Sequence, residues 1–277
     1  MHIQDHDAAS NIIKDIVQCS DRWHILDLEC YNDSFSYFAG QVQSASALYT
    51  LRLSILDPPL DDCVLKLANA RPTEIDLSST LLKSIDINWD RATSVRLRGP
   101  RLNECFQLLT LAPQLKRYTL SAIIEPEAGH AAPSVPITHH AIQELILEDS
   151  TNDLIQLLNM ISFPSLQTLS YEGWDQLNPE VLHFLARSSC LLRELTISKP
   201  YSFLYGKLPL FTPSLREIPS LRKFECFSEI ESVAANDILA FLAGTFTENG
   251  SNPQGAFLPN LEHLKITVSP SKEIEWQ

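Results

Sequence analysis

This sequence contains residues able to do covalent or metal chemistry, but not at working spacings. His139 and His140 are adjacent without the cysteine or carboxylate spacing of a ligand set, and His2 and His6 lie in a polar, acidic N-terminal stretch. A structural or catalytic zinc needs three or four donors at short, recurring intervals, so no metal is expected. The cysteines fall at 19, 30, 63, 105, 190 and 226 with no close pairs. They read as reduced thiols of an intracellular protein, cytoplasmic or nuclear. Cys226 takes an apolar strand position, where a thiol acts as a small hydrophobe. No motif sets a serine or cysteine beside a base, although triad partners converge only in space. Glycine, at 8 residues, is too scarce for a phosphate-cradling loop. Catalytic, cofactor and metal residues are therefore all expected to be absent. What remains is charge: Arg52, Arg96, Arg98 and Arg117 recur in one phase of a repeating pattern. Guanidinium groups gathered on one surface favour a carboxylate or phosphate that accepts paired hydrogen bonds.

Those arginines act together only if the backbone brings them to one face. The stretch 163–197 shows how it does so. Pro164-Ser165-Leu166-Gln167-Thr168-Leu169-Ser170-Tyr171 leads into a helix-like segment, and Leu192-Arg193-Glu194-Leu195-Thr196-Ile197 follows it. Counted from Leu166 and from Leu192, each run is apolar at its first, fourth and sixth positions. The same signature appears at Trp23, Leu26 and Leu28, then at Leu48, Leu51 and Leu53. Pro72, Ile75 and Leu77 form a weaker copy. Ala92, Val95 and Leu97 continue the series, as do Leu115, Tyr118 and Leu120, then Ile142, Leu145 and Leu147. Leu221, Phe224 and Cys226, and finally Leu261, Leu264 and Ile266, complete it. Most steps are roughly 20–29 residues, the range of a leucine-rich repeat. Ile85-Asp86-Ile87 and Trp89 add an apolar segment, to be read as an extra strand or an outer brace.

A second regularity has the same phase. Pro113, Pro164, Pro219 and Pro259 each stand two residues before a strand's first apolar position. Proline ends the preceding segment, and an extended approach to the strand is expected after it. Helix starts are marked by Asn178-Pro179 and by Asn236-Asp237. A short helix is expected over 11–19, and the polar or proline-rich stretches 125–136, 200–213 and 244–259 are expected insertions. The organisation expected is a tail with a short helix over 1–20, a leucine-rich-repeat domain over 21–269, and a tail over 270–277. The fold class is α/β, a leucine-rich-repeat solenoid whose curved parallel sheet lines the concave side, with helices and turns on the convex side.

Strand side chains alternate, so the third, fifth and seventh positions face outward on the concave side. That face is expected to carry Asp27, Arg52, Glu74, Asp76, Arg96, Arg98, Arg117 and Thr119, and further along Glu144, Glu148, Glu172, Glu194, Lys223, Glu225, His263 and Lys265. Arg96 and Arg117 are read as fifth positions of consecutive strands, with Arg98 two residues on. Neighbouring carboxylates could neutralise the arginines internally; otherwise the patch would take an acidic or phosphorylated protein or peptide segment. Lys and Arg total 21 against 34 Asp and Glu, a formal charge of -13. That balance disfavours nucleic acid and anionic membranes as partners. No apolar run is long enough to span a bilayer.

The unit 171–190, which runs through Leu177-Asn178-Pro179-Glu180-Val181-Leu182-His183-Phe184-Leu185 to Cys190, resembles the cysteine-containing class of leucine-rich repeat. Arg22-Trp23 and Asn88-Trp89-Asp90 are similar to the repeat regions of fungal F-box proteins. The resemblance covers about residues 20–268 of the sequence. Each repeat is degenerate, and Pro100 and Trp174 stand where the family usually has Asn or Cys after the strand. The resemblance implies substrate recognition in an F-box-type ubiquitin ligase rather than catalysis. The stretch ahead of Trp23 is too short for an F-box, so a cullin-ligase adaptor is expected as a partner only if a box lies outside this chain. The alternative is a free-standing leucine-rich-repeat regulator with no ligase link.

Overall fold

The computed structural model describes residues 13–39, 42, 45–57, 63–67, 69–126, 133–148, 152–172, 179–198, 215, 217–228 and 258–268. The chain forms two compact units, Met1–Ala141 and Ile142–Gln277. Each is α/β, and each rests on an all-parallel sheet whose strands follow chain order.

The first unit runs β1 (Ile25–Cys30), α1 (Asn32–Ala39), β2 (Thr50–Ile55), β3 (Leu65–Lys66), β4 (Glu74–Ser78), β5 (Ile85–Asp86), β6 (Ser94–Arg98), α2 (Leu102–Leu111), β7 (Arg117–Ser121) and β8 (Ile137–Thr138). Its sheet has the order β1-β2-β4-β6-β7, and β3 pairs with β5 in a separate small parallel sheet. Ile85-Asp86 is thus a strand outside the main sheet, and the buried Trp89 beyond it is a brace. The second unit runs β9 (Glu144–Glu148), α3 (Asn152–Asn159), β10 (Ile161–Ser162), β11 (Thr168–Glu172), α4 (Pro179–Ser188), β12 (Glu194–Ser198), β13 (Lys223–Ser228) and β14 (His263–Val268). Its sheet has the order β9-β11-β12-β13-β14. Residues 13–17 are helical, within the helix expected there, and α4 begins at Pro179. Asn178, the stretch 200–213 and the expected helix after Asn236-Asp237 lie outside the described residues.

Burial follows the repeat phase. Leu51 and Leu53, Val95 and Leu97, Tyr118 and Leu120, Leu145 and Leu147, Leu195 and Ile197, and Phe224 and Cys226 are all buried. The helices add Phe35 and Phe38 from α1, Leu102, Phe106 and Leu109 from α2, and Val181 and Phe184 from α4. Phe163 and Phe184 meet edge to face with centroids 5.6 Å apart, while Trp23 stacks on Phe38 at 5.9 Å. The first and last copies are less covered: Leu28 and Ile266 are half-buried, and Leu264 is 37% exposed. A terminal repeat has a neighbouring repeat on one side only.

The prolines act differently from expectation. Each is the second residue of a four-residue turn, not the start of an extended approach. The amide of Leu115 donates to the Ala112 carbonyl, Leu166 to Phe163, Leu221 to Ile218 and Leu261 to Leu258, at 3.0–3.2 Å. The fixed φ of proline suits that position. Ala45–Leu48 and Trp89–Ala92 make the same turn without proline. Pro72 has no amide to donate, and there the bond shifts to Ala70 and Leu67.

Each turn is followed by a shared acceptor. The carbonyl of His24 takes the amides of both Tyr49 and Thr50; that of Thr93 takes Lys116 and Arg117; that of Gln167 takes Arg193 and Glu194. These paired bonds lock neighbouring repeats in step. At the far end of three strands the next residue is left-handed: Ser79 at φ 51, Gly99 at φ 69 and Ala122 at φ 50. Ser79 then donates to Arg98 O and Gly99 to Ser121 O, so the ladder continues one residue past the strand.

Candidate functional site

Alternation leaves one face of the first unit's sheet to polar side chains, and register arranges them in rows. Asp27 of β1 stands beside Arg52 of β2, Arg52 beside Asp76 of β4, Asp76 beside Arg96 of β6, and Arg96 beside Thr119 of β7. The next row carries Glu29, Ser54, Ser78, Arg98 and Ser121. The preceding row carries Ile25, Thr50, Glu74, Ser94 and Arg117. Neighbouring strands lie about 4.8 Å apart, so acids and arginines alternate within contact distance.

Arg117 is therefore not in register with Arg96. It faces Ser94, one row earlier, because Leu115 is the first apolar position and Arg117 the third. Arg96 and Arg98 share β6, Arg52 lies two strands away across β4, and Arg117 lies on β7 at the row of Glu74. Thr119 and Ser121 are buried rather than displayed.

Internal ion pairs occupy part of this face. Asp27 Oδ2 lies 3.3 Å from Arg52 Nη1, with side chains more than half exposed. Asp76 Oδ2 lies 3.2 Å from Arg98 Nη2, with exposures of 26% and 43%. Thr50 donates to Glu74 Oε2 at 3.4 Å. The sequence places Asp27 and Asp76 on the correct face but does not reveal whom they contact. The diagonal pairing of Asp76 with Arg98, across two rows, depends on side-chain length rather than on strand order.

The second unit's face carries a chain of charges. Lys223 Nζ lies 3.8 Å from Glu194 and 3.4 Å from Glu225, and His263 Nε2 lies 3.5 Å from Glu225. Lys265 sits over the Phe227 ring, 5.0 Å from its centroid.

Two polar residues that sequence reasoning passed over tie repeats together. Glu104 is buried; its Oε1 accepts the Leu82 amide at 2.7 Å and its Oε2 the Arg101 amide at 2.9 Å. Its place three residues after Arg101, at a helix start, was the available signal. Arg187, in the last turn of α4, donates to the carbonyls of Leu158 and Ile161. A cation in a helix's last turn is the corresponding cue.

Burial mutes the chemistry of four thiols and of the His139 imidazole. All the cysteines are free, and burial raises the Cys30 and Cys190 thiols and pushes Cys105 and Cys226 up to about 12. Protonated thiols are poor nucleophiles. His139 is buried, and its Nε2 lies 3.0 Å from the Ala112 carbonyl. Burial lowers its pKa, outweighing that hydrogen bond. Among the described residues no group of His, Cys, Asp and Glu is arranged to hold a metal ion. An open hollow of about 420 Å³ is lined by Leu67, Asn69, Asp86, Trp89 and Leu111, without a nucleophile and base together. Among the described residues no helix is long and apolar enough to cross a membrane. No family model matches the chain, and no curated protein matches it.

Proposed function

We propose that this chain is a non-enzymatic protein-interaction scaffold whose arginine-bearing sheet face binds an acidic or phosphorylated segment of a partner. The observation that carries the reading is the placing of Arg52, Arg96, Arg98 and Arg117 on one polar sheet face of the first unit, over a buried core. Arginine's planar fork suits carboxylate and phosphate, and a rigid sheet holds such groups at fixed spacing. The resemblance of the repeats to those of fungal F-box proteins adds that the partner is a ubiquitin-ligase substrate.

The test is the triple variant Arg96→Glu, Arg98→Glu and Arg117→Glu, with affinity purification and mass spectrometry on both chains. A folded variant should lose its partner by on the order of tenfold or more in affinity. Retention at unchanged affinity would overturn the reading. A cullin adaptor among the proteins captured by the native chain supports the ligase role; capture of a ligand without one supports a free-standing regulator.

A further inference from the structure

We propose that Asp76 is a built-in competitor for an anion site, occupying the place between Arg52, Arg96 and Arg98 that the phosphate of a phosphorylated segment takes on binding. The inference rests on the partner-binding reading of this face and adds the ligand class: a phosphate monoester in preference to a carboxylate.

Strand register sets the site. Asp76 on β4 has Arg52 beside it on β2 and Arg96 beside it on β6, in the same row. Arg98, one row further along β6, reaches back to Asp76 Oδ2 at 3.2 Å. One carboxylate therefore has an arginine beside it in its row on each neighbouring strand, and a hydrogen bond from a third, Arg98; the Arg52 guanidinium itself lies against Asp27. Asp76 Oδ1 is buried and accepts no hydrogen bond among the described residues. Among the described residues Arg98 gives one hydrogen bond, to that single carboxylate, although a guanidinium carries five N–H donors. The Arg98 side chain is 43% exposed, so a ligand can reach it. Asp27 stands in the same relation to Arg52, at 3.3 Å.

The chemistry of displacement sets the selectivity. Asp76 is tethered, so its effective concentration at Arg98 is high. A carboxylate from a partner brings the same single charge and has no advantage over it. A phosphate monoester brings about −1.5 to −2 charges and three acceptor oxygens. It can accept paired N–H groups from one arginine and still reach a second. The internal pair thus screens out monoanionic ligands and yields to a dianionic one. An exposed pair is weak, so the competition reduces ligand affinity only a few-fold.

The experiment titrates the purified full chain with inorganic phosphate, and separately with acetate, following the arginine Nε–H resonances by NMR. Native chain, Asp76→Asn, Asp27→Asn and Arg98→Gln are compared, each checked for native-like circular dichroism. Asp76→Asn is expected to bind phosphate roughly two- to fivefold more tightly than the native chain. Asp27→Asn should shift in the same direction at Arg52, and it carries the test if Asp76→Asn does not fold. Arg98→Gln should bind more weakly, and acetate should perturb none of them comparably. Phosphate affinity unchanged or lowered in Asp76→Asn, or acetate gaining as much as phosphate, overturns the proposal. The two readings fail separately: partner capture that survives the triple charge reversal removes the binding face, whereas these titrations judge Asp76 alone.

Discussion

Leu169 shows how much of this fold depends on single side chains. It is fully buried in β11, beside Leu145 on one side and Leu195 on the other. Truncation leaves a cavity between stacked repeats that neighbours on both sides cannot collapse into. Leu169→Ala should lower stability by about 2–5 kcal/mol in chemical denaturation; a loss below about 1 kcal/mol would contradict its place in the core. The buried thiols give a pH signature. Cys105 and Cys226 sit at about 12 in the folded chain against 9.0 for an ordinary thiol. Between those values the unfolded chain releases protons that the folded chain keeps. Their contribution is complete below pH about 9 and is lost as pH rises toward about 12. A denaturation series from pH 8 upward should show that alkaline loss, diminished in Cys105→Ala relative to the fall seen in the native chain. In the native state at pH 8, a thiol reagent should label the exposed Cys19 and leave Cys105 and Cys226 untouched. The core was readable from sequence because a leucine in the fourth or sixth position reports its own burial. The long-range contacts of Glu104 and Arg187 were not, because the Leu82 amide and the Leu158 and Ile161 carbonyls belong to other repeats.

At the scale of the elements, the bend after β4, β6 and β7 is the informative piece. Gly99 follows β6 at φ 69, and a Cβ built there meets nothing within 4 Å. Ser79 and Ala122 hold the equivalent left-handed conformation with side chains present. Substituting Gly99→Ala therefore costs backbone strain and no clash, about 1–2 kcal/mol, and should leave the spectrum of the folded state unchanged. A much larger loss in thermal or chemical denaturation would mean that close packing, rather than φ, selects glycine. Strand phase and repeat length were legible in the sequence, since each is a local property; the prolines marked the right places, but the turns they make were not foreseen. Counted from Ala92 and from Leu115, Ser94 and Arg117 are both third positions, so the repeat signature itself puts them on one rung. Reading Arg117 as a fifth position kept it on the right face and moved it to the wrong rung. Of the small β3–β5 sheet, Ile85-Asp86 was offered by the sequence as an extra strand, whereas Leu65-Lys66 was not, because a two-residue strand carries no periodicity.

At the scale of the molecule, each unit places its apolar residues within and leaves one polar sheet face, so surface and stability are separable. The triple reversal at Arg96, Arg98 and Arg117 leaves the apolar core untouched but removes the Asp76–Arg98 pair, so partner capture is read on a variant whose fold has been checked. The rows carry a further consequence. Asp27 and Arg52 touch although 25 positions apart in sequence, and Asp76 and Arg98 although 22 apart. No single strand contains the surface they make. A synthetic peptide copied from any single strand would present at most one rung of each row and could not compete with the folded chain for its partner. An antibody raised against the assembled rows would, for the same reason, stay blind to the chain on a denaturing blot.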